Sequence, residues 1–126
     1  MSLGALELQS LFRKYQGDLA DIDLSEHNSN RMYGQTKRDL SRNRMEGRAK
    51  IADNAASRGL SHSGLHLKQQ TDLEKAYERS GADADAQQKA NLANIARQRI
   101  NSEASYNEGV ALSKMQSLLQ KQMGEF

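Results

Sequence analysis

Two histidines of this chain, His62 and His66, are spaced so that both side chains would lie on one face of a helix. Two imidazoles at that spacing can bind zinc. The chain has no Cys, however, and His62 is not followed by Glu as in the H-E-x-x-H pattern of zinc enzymes. We therefore expect His62 in a polar turn and His66 on a helix surface, with no metal site and no cofactor.

A Ser-His-Asp arrangement could be drawn from Ser61, His62 and Asp72. The chain lacks a G-x-S-x-G motif, and it lacks the alternating pattern of strands that would hold such a nucleophile. Leu, Ile, Val and Phe account for only 22 of the 126 residues. They are too few to build the rigid, water-excluding site that catalysis needs. The sequence therefore favours a protein without enzymatic activity.

A basic segment occupies residues 27–58, with eight Lys and Arg against three acidic residues, whereas residues 1–26 carry a net charge of −3. Arg38, Arg42 and Arg48 lie loosely on one side of a helix and could neutralise the phosphates of a nucleic acid. The segment has one aromatic residue, Tyr33, so we do not expect bases to stack there. We favour the alternative, a solvated helix face that pairs with acidic surfaces, including the N-terminal segments of neighbouring copies.

The composition makes independent folding difficult. Ordering one residue costs about 1–2 kcal/mol of backbone entropy, and this chain has few large apolar side chains to offset that cost. We therefore expect it to be ordered by partners or by copies of itself. No segment approaches the roughly 18 consecutive apolar residues of a membrane span, and the first residues lack the basic and apolar regions of a signal peptide. We expect no membrane span and a cytosolic origin.

Apolar spacing and turn residues predict an all-α fold. Residues 1–17 are predicted to form a short N-terminal anchor helix that ends at Gly17. Residues 18–29 are predicted to form an acidic, extended connector. Residues 30–126 are then predicted to form an elongated helical hairpin with its turn at residues 59–64 and a long C-terminal helix. Gly59 and Gly64 bracket the turn, and Gly59 is expected in the left-handed conformation that stops a helix. The whole is expected to assemble as a homo-oligomer.

The start of the hairpin has its own capping signal. The run Asn-Ser-Asn at residues 28–30 offers side chains that commonly cap a helix N-terminus. The sequence therefore predicts that one of these three residues caps the first helix of the hairpin.

Two sets of apolar residues are the candidate contact sites. The first would dock on a partner protein, because a helix of about 14 residues is marginal in water and needs a surface to bury its apolar face. It consists of Leu6, Leu11, Phe12 and Tyr15. The second would pack helix against helix, and it consists of Leu92, Ile95, Ile100, Val110, Leu118 and Leu119.

The stretch Ala-Ala-Ser-Arg-Gly-Leu-Ser-His-Ser-Gly, residues 55–64, joins an Ala-rich helix end to a long Ala- and Gln-rich helix. With its surroundings, residues 40–110, it resembles small helical structural and ejection-type proteins of tailed bacteriophages. That resemblance implies a virion component, made in the host cytoplasm and present in several copies at the tail or the head–tail junction. Other virion proteins would be its partners.

Three functions therefore remain open from the sequence. The first is a structural protein of a phage particle, docked through its N-terminal segment and packed with its own copies. The second is a nucleic-acid-binding helical module that uses residues 31–58. The third is a coiled-coil subunit of a bacterial secretion system or cell surface.

Overall fold

A computed structural model describes residues 3–59 and 64–124 of the chain. It contains two α-helices, α1 (Leu3–Ser57) and α2 (Gly64–Gly124), which pack together as a hairpin. No strand occurs in these described ranges. The predicted all-α helical hairpin is confirmed.

The N-terminal part differs from the prediction. Helix α1 runs without interruption through Gly17 and through residues 18–29, so a separate anchor helix followed by an extended connector is wrong. A glycine inside a helix costs only about 1 kcal/mol, and the chain has no Pro to end the helix. Ile22, in the middle of the expected connector, is buried. Burial of this face offsets the weak local preference for helix.

The end of α1 follows the prediction closely. The N–H of Arg58 donates to the carbonyl of Asn54, and the N–H of Gly59 donates to the carbonyl of Ala56, each at 3.2 Å. Gly59 has a φ of +68°, which is the left-handed conformation expected for a residue that stops a helix. Residues 60–63 lie outside the described residues, and α2 begins at Gly64.

The chain divides into two compact units. Unit 1 comprises the described part of residues 1–27 and 92–126, in which the two helical segments run antiparallel. Glu7 contacts Ser113 near one end, and Tyr15 contacts Tyr106 further along. Ile22 and Ile95 are its buried apolar residues.

Unit 2 comprises the described part of residues 28–91 and is also an antiparallel pair of helical segments. Its contacts are more polar than those of unit 1. Ser29 reaches Gln88, and Arg44 reaches Glu74. Gly47 lies against Leu73, because a Cβ at position 47 would be 3.0 Å from Leu73 Cδ1.

The inner face of each helix follows an eleven-residue spacing. Eleven residues make three turns at 3.67 residues per turn, which is close to the 3.6 of an α-helix, so residues at this spacing stay on one side. The buried or half-buried residues at this spacing are, in α1, Leu11, Ile22, Tyr33, Arg44 and Ala55, and, in α2, His66, Tyr77, Gln88, Arg99 and Val110. Apolar, polar and charged residues thus share the same inner positions.

Candidate interaction surfaces

The residues that could form a metal site or a nucleophilic site lie partly outside the described residues. His62 and Ser61 lie outside the described residues, and His66 lies in the first turn of α2. Within residues 3–59 and 64–124, no three His, Cys, Asp or Glu side chains are grouped so that they could hold a metal ion.

An aromatic cluster in unit 1 joins the N-terminal segment to α2. The rings of Tyr15 and Tyr106 stack with centroids 4.7 Å apart and 16° between their planes. Phe12 approaches Tyr106 at 6.2 Å with a tilt of 54°. An open groove of about 200 Å³ runs beside the stacked pair. Its walls are formed by Leu11, Lys14, Tyr15, Asp18, Asn101, Ser102, Ser105 and Tyr106.

The four predicted docking residues therefore separate into two pairs. Leu11 and Tyr15 pack against α2 of their own chain, whereas we expected them from the sequence to dock on a partner protein. Leu6 and Phe12 keep 52% and 46% of their surface exposed. These two remain open to a partner.

The six predicted helix-packing residues also separate. Ile95 is buried and Val110 is half-buried, so these two contribute to the hairpin. The other four are exposed, and these are Leu92, Ile100, Leu118 and Leu119. The inner face of the same stretch carries small residues instead, Ser102, Gly109 and Ser113. The large aliphatic side chains of this stretch thus point mainly away from α1.

Charged contacts in unit 1 place acids on α1 and a base on α2. Arg99 Nη2 donates to Asp23 Oδ1 at 2.9 Å and also to Glu26 Oε2. The hydrogen bond to Glu26, followed by the one to Asp23, raises the pKa of Arg99 above its usual value. Ser113 Oγ donates to Glu7 Oε2 at 3.3 Å.

Charged contacts in unit 2 have the opposite polarity, with bases on α1 and acids on α2. Arg44 binds Glu74 with two nitrogens, at 2.9 Å through Nε and 2.8 Å through Nη2. The guanidinium of Arg44 also lies over the ring of Tyr77, 4.7 Å from its centroid. The hydrogen bond to Glu74 raises the pKa of Arg44.

A second polar cluster in unit 2 is centred on Asp85. Its carboxylate accepts from the hydroxyl of Tyr33 and from Lys37 Nζ, the latter at 3.0 Å. These two hydrogen bonds, that of Tyr33 foremost, lower the pKa of Asp85 below its ordinary value. The same contacts raise the pKa of Tyr33 and of Lys37.

The buried polar residue of unit 2, Gln88, is hydrogen-bonded to α1 through both the oxygen and the nitrogen of its amide. Ser29 Oγ donates to Gln88 Oε1 at 2.9 Å, and Gln88 Nε2 donates to Asn30 Oδ1 at 2.7 Å. Ser29 and Asn30 thus join the two helices from within α1, so their prediction as helix caps is wrong. The eleven-residue spacing that joins Gln88 to Tyr77 and Arg99 is the signal that would have placed Gln88 on the inner face.

The predicted phosphate-binding arginines lie in unit 2 and do not form one cluster. Arg38 and Arg42 are exposed and make no ion pair within the described residues. Arg48 lies beside Glu74, with Nε 3.6 Å from Oε1. Residues 28–91 carry twelve Lys and Arg against eight Asp and Glu, whereas the remainder of the chain carries six against eight. The excess positive charge is thus confined to unit 2.

No protein-family model, curated protein or solved structure matches this chain. Neither described helix contains a segment apolar enough to cross a membrane.

Proposed function

We propose that this protein is a non-enzymatic structural subunit of a larger particle, held there by helix packing with other proteins and with its own copies. The observation that carries the proposal is the outward position of its large apolar side chains. Among the residues that the structure describes, fourteen large hydrophobic side chains are exposed and no large side chain is fully buried.

This distribution leaves much apolar surface in contact with water. Burying one Leu, Ile or Met side chain contributes about 1.5–3 kcal/mol, and the hairpin alone leaves most of that contribution unused. Contiguous exposed apolar residues on a folded chain mark binding surfaces for other proteins. A helical hairpin that exposes large apolar side chains along both helices is suited to bridging or lining a particle, because these side chains can pack on helices of other subunits.

The resemblance of residues 40–110 to small helical proteins of tailed bacteriophages supports a virion as that particle. In this proposal, the exposed Leu6 and Phe12 dock on another virion protein, and the outer face of α2 meets further helices. The protein is made in the host cytoplasm and ends in the virion, at the tail or the head–tail region.

The experiment measures mass and helix content together. Light scattering and circular dichroism of the full chain at two concentrations should show that mass and helicity rise in parallel, because assembly supplies the missing apolar contacts. A stable, fully helical monomer at both concentrations would contradict the proposal.

A second candidate function is phosphate-backbone binding by unit 2. It is favoured by the exposed arginines in the unit 2 part of α1 that make no ion pair within the described residues, Arg31, Arg38 and Arg42. Their spacing of seven and four residues places them on one side of α1. A basic stripe of this kind binds nucleic acid without reading its sequence.

A further inference from the structure

A largely apolar stripe runs along α2 on the side away from α1. Its members are spaced by three or four residues, and all are exposed: Ile100, Ala104, Asn107, Ala111, Met115 and Leu118. Five of them lie nine residues after a buried or half-buried residue of the same helix. Nine residues make two and a half turns, so each of these five lies on the opposite side of α2 from that inner residue. Ala104 is related in this way to Ile95, and Met115 to Tyr106.

We infer that this stripe is the contact surface for a second copy of the chain, whose own residues 100–118 lie against it in the antiparallel direction. The inference rests on the proposed function, because it assigns the surface through which copies pack. A two-fold axis lies near residue 109, so the same residues serve on both chains.

The stripe is self-complementary in shape under this symmetry. Ile100 lies opposite Leu118 of the second copy, and Ala104 lies opposite Met115. Large and small side chains therefore meet in the middle of the contact and can interdigitate. Asn107 lies opposite Ala111 near the axis.

The charges beside the stripe are self-complementary in the same register. Glu103 and Lys114 are both exposed, and their spacing of eleven residues places them on the same edge of the stripe. In an antiparallel pair each edge meets the same edge of the other chain, so Glu103 lies opposite Lys114 of the second copy. The symmetry repeats this ion pair. Neither residue makes an ion pair within the described part of its own chain.

Cross-linking tests the direction and register directly, because the chain has no Cys of its own. Full-length Ala104→Cys and Met115→Cys variants are mixed and oxidised. We expect most cross-linked dimers to contain one chain of each variant. Their share should be well above the one half that random pairing gives. A predominance of Ala104→Cys homodimers would establish parallel pairing and overturn the inference.

A matched pair controls for random contact. Ser105→Cys and Gln116→Cys have the same spacing as the first pair. Each lies one position after a residue of the stripe, so its side chain points away from the stripe. Their mixture is expected to give fewer cross-links and no preference for the mixed product. Equal yields from the two mixtures would also overturn the inference, because the stripe would then not be the contact.

A charge exchange supplies an independent readout by sedimentation equilibrium. Glu103→Lys or Lys114→Glu alone should weaken self-association about tenfold, since each replaces two attractive pairs by two repulsive ones. The double variant should restore it. Both residues are exposed, and circular dichroism at a concentration high enough for the variants to associate checks that the fold is kept. Failure of the double variant to restore association would contradict the register.

The outcomes separate this inference from the proposed function. A chain that gains mass and helix with concentration, but gives no mixed disulfide, supports assembly and overturns this surface. A chain that stays monomeric while Leu118→Asp blocks its entry into a particle assigns the stripe to a different protein and overturns pairing between copies.

Discussion

Leu11 packs directly on the backbone of Gly109 in unit 1. A Cβ at position 109 would lie 2.9 Å from Leu11 Cδ2 and 3.2 Å from Cδ1. Contacts this short are closer than side-chain carbons normally approach, so glycine allows α1 and α2 to come together at this level. The N-terminal segment is therefore tied to α2 by a specific fit.

Gly109→Val should destabilise the hairpin. The added methyl groups would push Leu11 away, and overpacking of this kind typically costs about 1–3 kcal/mol. Gly17→Val is the matched control, because no atom lies within 4 Å of a Cβ there and valine favours helix slightly more than glycine does. Urea unfolding followed by circular dichroism should show a lower midpoint for Gly109→Val only. Equal midpoints would mean that Leu11 does not rest on Gly109.

Gly59→Val should destabilise the protein for a different reason. Gly59 has a φ of +68°, and a side chain with a Cβ costs about 1–2 kcal/mol in that conformation. Gly34→Val provides the comparison, since Gly34 lies inside α1 with no neighbour within 4 Å of a Cβ. Thermal melts should show a marked decrease for Gly59→Val and little change for Gly34→Val. Similar decreases for both would argue against a turn that depends on the left-handed conformation.

The hairpin and its turn could be predicted from local signals. Helical spacing, the absence of Pro and the Arg58-Gly59 pair all act within a few residues, and the structure agrees with them. The connector could not be predicted in this way. Its acidic residues Asp23 and Glu26 weaken any isolated apolar pattern, but they bind Arg99, which lies more than seventy residues away in sequence.

The inner face was missed because it is not uniformly apolar. At eleven-residue spacing the inner face holds Arg44 and Arg99 as well as Ile22. A prediction from the pattern of apolar residues alone therefore assigns the wrong side of the helix to the interior. In α2 that pattern selects Ile100, Leu118 and Leu119, which are exposed. Charged and polar pairs thus share the inner side of each helix with the buried Ile22 and Ile95, so hydrophobicity alone does not identify that side.

The Asp85 cluster should make stability depend on pH. The pKa of Asp85 is lowered from its ordinary 3.8, so its contribution is present above about pH 4 and disappears as the pH falls through the lower folded value. The pKa of Tyr33 is raised from 10.0, so its contribution is present below about pH 10 and disappears as the pH rises through the higher folded value. Stability from this cluster is greatest between these limits.

Tyr33→Phe removes the main hydrogen bond that lowers the pKa of Asp85. The variant should melt below the parent protein at pH 7, and the difference should narrow as the pH falls below 3.8 and through the lower folded pKa of Asp85, because the carboxyl group then becomes protonated. Melting temperatures across that range test this. A difference that stays constant over the whole range would show that the phenol contributes through packing alone. Asp85→Asn serves as the control, because it should remove the pH-dependent part.

Substitutions in the two pairs of N-terminal docking candidates should have different effects, and Leu6 and Leu11 represent the exposed pair and the pair packed on α2. Leu6→Asp should leave the melting temperature nearly unchanged and prevent incorporation into the particle, because Leu6 is exposed. Leu11→Asp should lower the melting temperature by several degrees, because it places a charge against Gly109. Incorporation assays alongside thermal melts separate the two. If Leu6→Asp is incorporated normally, the N-terminal segment is not the docking site.

Nucleic-acid binding predicts a salt dependence that protein docking does not. Removing one phosphate-binding side chain should reduce the slope of log affinity against log salt by about one unit. Arg38→Gln with Arg42→Gln should therefore weaken binding to double-stranded DNA and flatten that slope by about two units. Arg48→Gln is the matched control, since Arg48 lies beside Glu74 and has less free charge to offer. Titrations of double-stranded DNA at about 50–200 mM salt measure both the affinity and its dependence on salt. Absence of binding by the parent protein at the lower salt concentration would leave Arg38 and Arg42 as a solvated face, and the excess charge of unit 2 would then serve contacts with acidic proteins.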